Sequence, residues 1–199
     1  MEQASLNSVD DPFEFFARWM TEAENAEMIE PHAMTLATVS ADGKPSARQV
    51  LLKGHGESGF VFYTNYQSRK ADELADNPNV SAVIWWDKLY RQVRIEGEVR
   101  KLAAELSSEY FASRPRGSQI SAWASAQSAV IADYASLHRR VAQIEKRFDG
   151  LAVERPDYWG GYSIIPNSIE FWQGRQDRLH ERLRYARDKE NWVSQFLSP

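Results

Sequence analysis

Two hydrophobic periods alternate along the chain. Near the start, Phe13, Phe16, Met20 and Ala23 recur at helical spacing, with Glu22, Glu24 and Glu27 off that face. Asp11 is placed to cap this helix, Pro12 suits its first position, Glu14 completes a capping box, and Pro31 sets its limit. The period then shortens to two. Strands are predicted at 34–40 (MTLATVS), 45–53 (PSARQVLLK), 60–64 (FVFYT) and 80–86 (VSAVIWW). Asp42-Gly43 turns the first into the second, and a short helix at 68–75 closes at Asn77-Pro78. The clearest alternation is RQVRIEGEVRK at 91–101. It sets Val93, Ile95, Gly97 and Val99 on one face and Gln92, Arg94, Glu96, Glu98 and Arg100 on the other. One face packs a core, while the other meets water, a ligand or a partner.

Helical spacing returns at 103–149. One helix covers 103–113 and is stopped by Pro115, and a short one covers 118–125. The face of a third is marked by Leu137, Val141, Ile144 and Phe148, with Gly150 as its C-cap. After Pro156 the period is again two, predicting strands at 158–165, 168–173 and 178–185 and a last piece near Trp192. Strands joined by short turns indicate an antiparallel sheet or barrel, not a doubly wound fold. The expectation is a single domain over 11–199, mainly β with flanking helices (α+β), preceded by a disordered segment at 1–10.

Composition narrows the function classes. With 199 residues the chain has room for one sizeable core. A net charge of −4 provides no global basic field for nucleic acid, so any anion must be held by local clusters. The absence of cysteine excludes disulfides, thiolate nucleophiles and thiolate-bound metals. No apolar run approaches the ~20 residues needed to span a bilayer, and the start MEQASLNSVDD is acidic and polar, unlike a signal peptide. A soluble cytoplasmic protein that binds neither membrane nor nucleic acid is expected. Seven Trp, eight Tyr and nine Phe serve core packing first and ring stacking on a planar cofactor second.

Four clusters pair cations with hydroxyl or amide donors. Arg48 and Lys53 bracket the second strand. Arg69 and Lys70 open a short helix after Ser68, where free N–H groups favour phosphate. Tyr110 and Arg114 lie at i and i+4, with Ser118 in the next turn. The fourth cluster is SIEFWQGRQDRLHER at 168–182. In an extended segment Arg178, His180 and Arg182 share a face, and two guanidiniums flanking an imidazole call for an anion. Each cluster taken singly reads as a surface feature before it reads as a site; together they fit a site for two phosphorylated ligands. His32, His55, His138 and His180 lack metal-ligand spacing, and neither HExxH, G-x-S-x-G nor a glycine-rich nucleotide loop occurs. No carboxylate pair stands out as an acid–base couple. An enzyme built on this chain therefore implies an organic cofactor.

The stretches RQVLLK (48–53), FYTN with SRK (62–65, 68–70), RQV (91–93), YFASRPRGSQISAWAS with QS (110–125, 127–128), YWGGY (158–162) and EFWQG with RLHERL (170–174, 178–183) together resemble the pyridoxamine/pyridoxine 5′-phosphate oxidase family over nearly the whole chain. The resemblance implies an antiparallel Greek-key split β-barrel of the FMN-binding type, forming a homodimer with FMN at the subunit interface. It implies oxidation of pyridoxamine or pyridoxine 5′-phosphate to pyridoxal 5′-phosphate with O2 as acceptor, hydride passing from substrate C4′ to the flavin. Carried over, the FMN residues are Arg48, Gln49, Val50, Leu51, Leu52, Lys53, Tyr63, Thr64, Arg69, Lys70, Gln92, Gln127, Ser128, Trp172 and Arg182. The substrate residues are Lys53, Tyr110, Arg114, Ser118, Arg178 and His180, the last two with the catalytic role, His180 as a base or as an orienting donor. Arg175 has no matched role and is expected at the surface. Two departures are a short N-terminal extension without the family's basic segment and Phe196 where an arginine is usual. A phenazine-making branch shares RLHERLRY but lacks the SRPRGSQI pattern kept at 113–120, so an oxidase of a larger aromatic metabolite is the second expectation. A non-catalytic flavin binder on the same barrel is the third.

Overall fold

The computed structural model describes residues 6, 7 and 11–199. Helix α1 (Pro12–Asn25) opens the domain, and the Asp11 side chain accepts from the Phe13 N–H at 2.8 Å. Strands β1 (Ala33–Val39) and β2 (Pro45–Leu51) form the expected hairpin, in which Gly43 takes a φ of +79°. β3 (Phe60–Asn65), helix α2 (Arg69–Asp76), β4 (Asn79–Trp86) and β5 (Arg91–Lys101) follow. Helices α3 (Ala104–Ser113), α4 (Arg116–Ala124) and α5 (Tyr134–Arg147) precede β6 (Trp159–Gln173), β7 (Glu181–Asp188) and β8 (Asn191–Leu197). Every pairing is antiparallel, in the order β2-β1-β4-β5-β6-β7-β8, with β3 on β6. The Lys53 N–H donates to the Val61 carbonyl and the Val61 N–H to the Gly54 carbonyl, both at 2.8 Å. These two bonds return β3 to the end of β2 and close the barrel. The fold class read from the sequence, an α+β split barrel, is the one observed.

Two elements differ from the sequence reading. The strands predicted at 158–165 and 168–173 are one 15-residue strand, β6. Its first half pairs with β3 up to Ile164 and its second half with β7 from Ser168, so Pro166 sits where no ladder is needed on one side. The register with β5 slips between Glu96 and Gly97, bulging Asn167. A Cβ on Gly97 would lie 2.2 Å from the Ile165 carbonyl, so only glycine admits this approach. The split of the barrel is located here. The predicted strand at 178–185 instead begins at Glu181. Gln176–Arg178 is a 3-10 turn in which Asp177 and Arg178 take left-handed φ values of 57° and 61°. Arg178, His180 and Arg182 therefore do not share one strand face, and the alternation inferred for them fails.

The interior is filled by alternating residues of the strands, among them Met34, Leu36, Phe62, Ile84, Val93, Ile95, Ile164 and Phe171, all fully buried. Burial of each such side chain contributes roughly 1.5–3 kcal/mol. Phe13, Phe16, Met20 and Ala23 of α1 are buried as expected, but so are Phe15 and Trp19. The reason is that α1 is wedged between two layers. Phe16 packs on Phe60 and Trp86 at the barrel, while Phe15 and Trp19 pack on Phe171 of the β6–β7 leaf. A second, smaller core of Phe111, Ile120, Phe148, Val153 and Trp159 joins α3–α5 to the barrel wall. Helix α5 buries no residue, and Leu137, Val141 and Ile144 are only half covered. Gly150, at φ +67°, turns the chain two residues past the C-cap Phe148. Of the segment expected to be disordered, positions 1–5 and 8–10 lie outside the described residues. Leu6 is buried, and its N–H donates to Glu181 Oε2 at 2.7 Å. No helix among the described residues is long and apolar enough to cross a membrane.

Candidate active site

Strands β2 and β3, the start of α2 and the loop after α4 enclose an open cavity of about 430 Å³. It is lined by Arg48, Gln49, Val50, Tyr63, Thr64, Arg69, Lys70, Gln127 and Ser128, all singled out in the sequence, and by Ser46 and Ala47, which were not. Gln127 is brought in from far along the chain, its Oε1 accepting from Thr64 Oγ1 at 3.1 Å and from the Asn65 N–H at 3.3 Å.

A buried carboxylate that the sequence did not reveal organises the cations. Glu73 Oε2 accepts from Arg48 Nη2 at 3.0 Å and Oε1 from Arg69 Nε at 2.9 Å; Thr38 and Ser46 hydroxyls complete its shell. Burial pushes the Glu73 carboxyl up, but hydrogen bonds from Thr38, Ser46, Arg69 and Arg48 outweigh it and hold the pKa at about 2. Its signal was present as a Glu at i+4 from Arg69, which reads as an ordinary surface pair until the fold buries it. Lys70 is buried, its Nζ donating to Thr64 Oγ1 at 3.0 Å and Ser68 Oγ at 3.2 Å. Burial, then the neighbouring Arg48, lowers its pKa to about 8. Three cations share one carboxylate, so the cavity keeps a positive excess at the N-terminus of α2, where the helix dipole adds to it.

The structure refines several assigned roles. The guanidinium of Arg48 is spent on Glu73, Thr38, Ser46 and the Leu36 carbonyl, which makes it a wall of the cavity more than a free donor. Gln49 Nε2 donates to Thr35 Oγ1 at 2.8 Å. Leu51 is exposed, whereas the Leu52 side chain is in the core, leaving only its backbone to face a ligand. Lys53 is exposed just past the end of β2.

The substrate set adjoins the cavity through a stack of rings. Tyr63 lies 3.9 Å from Tyr110 and 5.5 Å from Trp159, near parallel to both. Burial raises the pKa of Tyr63 and Tyr110, so both phenols stay protonated donors. Arg114, the C-cap of α3, lays its guanidinium 4.5 Å from the Trp159 ring. Its Nη1 is buried with no hydrogen-bond partner among the described residues, an arrangement that costs free energy unless an anion fills it. Ser118 stands in the first turn of α4, partly buried.

The remaining residues lie elsewhere on the chain. Gln92, Trp172 and Arg182 are cross-strand partners, forming a row over β5, β6 and β7 that faces away from the core. They do not line the cavity. Strand order places β5 three strands from β2, about 14 Å at 4.7–4.9 Å per strand. Arg182 is braced by Glu170, to which Nε and Nη2 donate at 2.9 and 3.1 Å, and its pKa is raised by that bond. His180 lies against Trp172 at 4.6 Å, and Arg178 is exposed in the turn before it. Trp85 and Tyr90, both about half exposed, extend the same patch. Arg175 is not the surface residue expected: its side chain is 18% exposed and paired with Glu181 at 2.8 Å. Phe196, in place of the usual arginine, is exposed on β8.

A split barrel with a cationic, tyrosine-flanked cavity on its wall defines the class, a split-barrel protein with an anion-binding site. A family model described as pyridoxamine 5′-phosphate oxidase matches residues 20–148, and one described as pyridoxine 5′-phosphate oxidase C-terminal dimerisation region matches 159–199. The chain belongs to the pyridoxamine 5′-phosphate oxidase family. It is 53% identical over 189 residues, covering 95% of this chain and 87% of the relative, to the pyridoxine/pyridoxamine 5′-phosphate oxidase of Rubrobacter xylanophilus. Identity to the protein of that name from Burkholderia cenocepacia is 54% over 203 residues, covering 99% and 94%. The crystal structure of PhzG from Burkholderia lata in complex with tetrahydrophenazine-1-carboxylic acid matches with a TM-score of 0.92 at 31% identity, covering 97% of this chain and 95% of that one.

Proposed function

We propose that this chain is an FMN-dependent oxidase of pyridoxamine and pyridoxine 5′-phosphate, forming pyridoxal 5′-phosphate with O2 as electron acceptor. The observation that carries the reading is Arg114. A desolvated guanidinium with an orphaned Nη1, beside Tyr110 and next to a second cationic cavity, fits a substrate phosphate distinct from the cofactor phosphate. The cavity fits FMN in the chemistry of its donors: Arg69, Lys70 and the start of α2 suit the phosphate, with Thr64, Gln127 and Ser128 closing one side. FMN held there would supply the two-electron redox chemistry of the reaction, as acceptor of hydride from substrate C4′ with O2 as the final electron acceptor. The chain's own residues bind and orient. Tyr110, Arg114 and Ser118 would hold the substrate phosphate, with Lys53 at the rim, and Arg178 and His180 would grip the ring.

We further infer a homodimer with the site at the subunit interface. Gln92, Trp172 and Arg182, with Arg178 and His180, stand on an outward face that lines no part of the cavity, at the far end of β6 from the half that pairs with the cavity strand β3. A second copy brings that face to the cavity, and the match of 159–199 to a dimerisation region supports it.

The test is the visible spectrum of the purified protein before and after anaerobic addition of pyridoxamine 5′-phosphate. Flavin absorbance that bleaches on addition is expected. A flavin-loaded protein inert towards both phosphorylated vitamers overturns the proposal. The likeness to PhzG supports one competitor, a flavin oxidase of a larger aromatic metabolite; activity without a substrate phosphate would favour it.

A further inference from the structure

The loop from Gly174 to Glu181 is closed twice. The backbone N–H of Arg175 donates to His180 Nδ1 at 3.1 Å. The guanidinium of the same residue donates through Nη2 to Glu181 Oε2 at 2.8 Å. A backbone N–H can only donate, so Nδ1 is the acceptor nitrogen and the neutral imidazole carries its proton on Nε2. Between the two closures Asp177 and Arg178 sit at left-handed φ, a conformation unfavourable for non-glycine residues and kept only where the surroundings impose it. The base of the loop is fixed as well. A Cβ on Gly174 would lie 1.9 Å from the Tyr90 ring, and the Gly174 N–H donates to the Tyr90 carbonyl at 2.9 Å. Trp172 covers one face of the imidazole.

We infer that Arg175 and Glu181 are positioning residues, a clamp that holds the strained loop closed so that His180 presents Nε2–H as a hydrogen-bond donor to the ligand. With Nδ1 occupied, His180 in this arrangement has no free acceptor nitrogen and orients the substrate instead of taking a proton from it. Glu181 Oε2 also accepts the Leu6 N–H, so the N-terminal segment reinforces the same clamp. The clamp rests on the oxidase reading only for the identity of the ligand; the tautomer and the loop closure belong to the protein itself.

The experiment combines spectroscopy and kinetics on the FMN-loaded protein. Two-bond proton–nitrogen correlation of ¹⁵N-histidine-labelled protein, with His180→Asn to assign the signal, should give the Nε2–H tautomer for His180. Arg175→Ala keeps the backbone donor but opens the second closure, so the His180 signal should broaden or split between tautomers. kcat/KM for pyridoxamine 5′-phosphate should fall on the order of 10- to 100-fold, with FMN retention held. Arg175→Lys should recover most of that loss, and Arg175→Ala/Glu181→Ala should be no worse than the poorer single variant. An Nδ1–H tautomer in the unmutated protein overturns the inference, as do losses that add in the double variant or a His180 signal indifferent to Arg175→Ala. Should neither phosphorylated vitamer be oxidised, the oxidase reading fails, while the tautomer and its response to Arg175→Ala still decide the clamp.

Discussion

The two halves of the site are stabilised in different ways. The cavity half is built from the barrel itself: β2, β3 and α2 hold Arg48, Arg69 and Lys70 around one buried carboxylate, and Arg114 waits desolvated beside them. The outer half is a row of cross-strand neighbours ending in a strained loop, and two of its cations are already neutralised within the chain. Arg182 is paired with Glu170 and Arg175 with Glu181. The contrast separates cations that receive an anion from cations that shape a surface. Arg114 and Lys70 pay for desolvation in the free protein and recover it from a ligand, whereas Arg182 and Arg175 already hold a carboxylate partner before any ligand arrives.

The largest effect should come from the unsatisfied cation. Arg114→Ala removes charge-assisted bonds worth roughly 1.5–3 kcal/mol each. With two of them lost, kcat/KM for pyridoxamine 5′-phosphate should drop on the order of 10²- to 10⁴-fold, while flavin absorbance of the purified protein is retained. Steady-state kinetics with phosphorylated and unphosphorylated substrate checks this; equal losses for both would erase the distinction between the two kinds of cation. The next effect tests whether the halves come from different subunits. Arg114→Ala and His180→Ala should each be nearly inactive alone. Refolded together, they form mixed dimers in which one of the two sites is intact, and activity should return to about a quarter of the unmutated level. No recovery on mixing would place both halves of each site on one chain.

The sequence made the cavity half legible for a physical reason. Its residues fall within short local motifs, RQV, FYT, SRK and the SRPRGS turn, whose spacing already places them on one strand face, a helix start or a helix turn. The barrel was legible too, since strict alternation at 91–101 survives in β5 with its inner residues buried. What escaped depended on tertiary context. Pro166 reads locally as a strand end, and only the change of neighbour from β3 to β7 lets β6 run through it. Arg178 reads as strand because two consecutive left-handed residues leave no mark in a pattern of polarity. Nothing in the polarity pattern set Glu73 apart, and Arg175 was expected at the surface; burial by distant elements gives the one a central place in the cavity and the other a place in the loop clamp.

Glu73 allows a sharper test of the cavity half. Replacing it with Ala leaves Arg48, 21% exposed, beside Lys70 without a counter-charge, and losing one partner of a buried pair costs about 3 kcal/mol. Urea unfolding should register that loss, and FMN should dissociate more readily as Arg48 and Arg69 lose their anchor. The pH dependence has a defined sign. The Glu73 pKa falls from its ordinary 4.5 to about 2 on folding, so its contribution is complete above 4.5 and is lost as pH drops through about 2. Unfolding midpoints measured from pH 5 to pH 2 should fall less steeply for Glu73→Gln than for the unmutated protein. Parallel curves would mean that the carboxylate is not the brace.

Lys70 gives the smallest and most gradual effect. Its pKa is lowered to about 8 by burial and by Arg48, so the free cavity loses one positive charge as pH rises through that value. An anion binds the protonated form, and its arrival raises the pKa again. Affinity for FMN should therefore be flat below pH 7 and decline above about 8, approaching tenfold per pH unit once the free site is neutral. Flavin fluorescence quenching across pH 6.5 to 9.5 measures it, and Lys70→Arg, which keeps its charge over that range, should flatten the decline. The outer half offers a control: Arg182 keeps its charge throughout, so Arg182→Lys should leave the shape of the pH profile unchanged. If it alters that shape, the charge that answers to pH does not lie in the cavity, and the division between anion-receiving and surface-shaping cations is drawn in the wrong place.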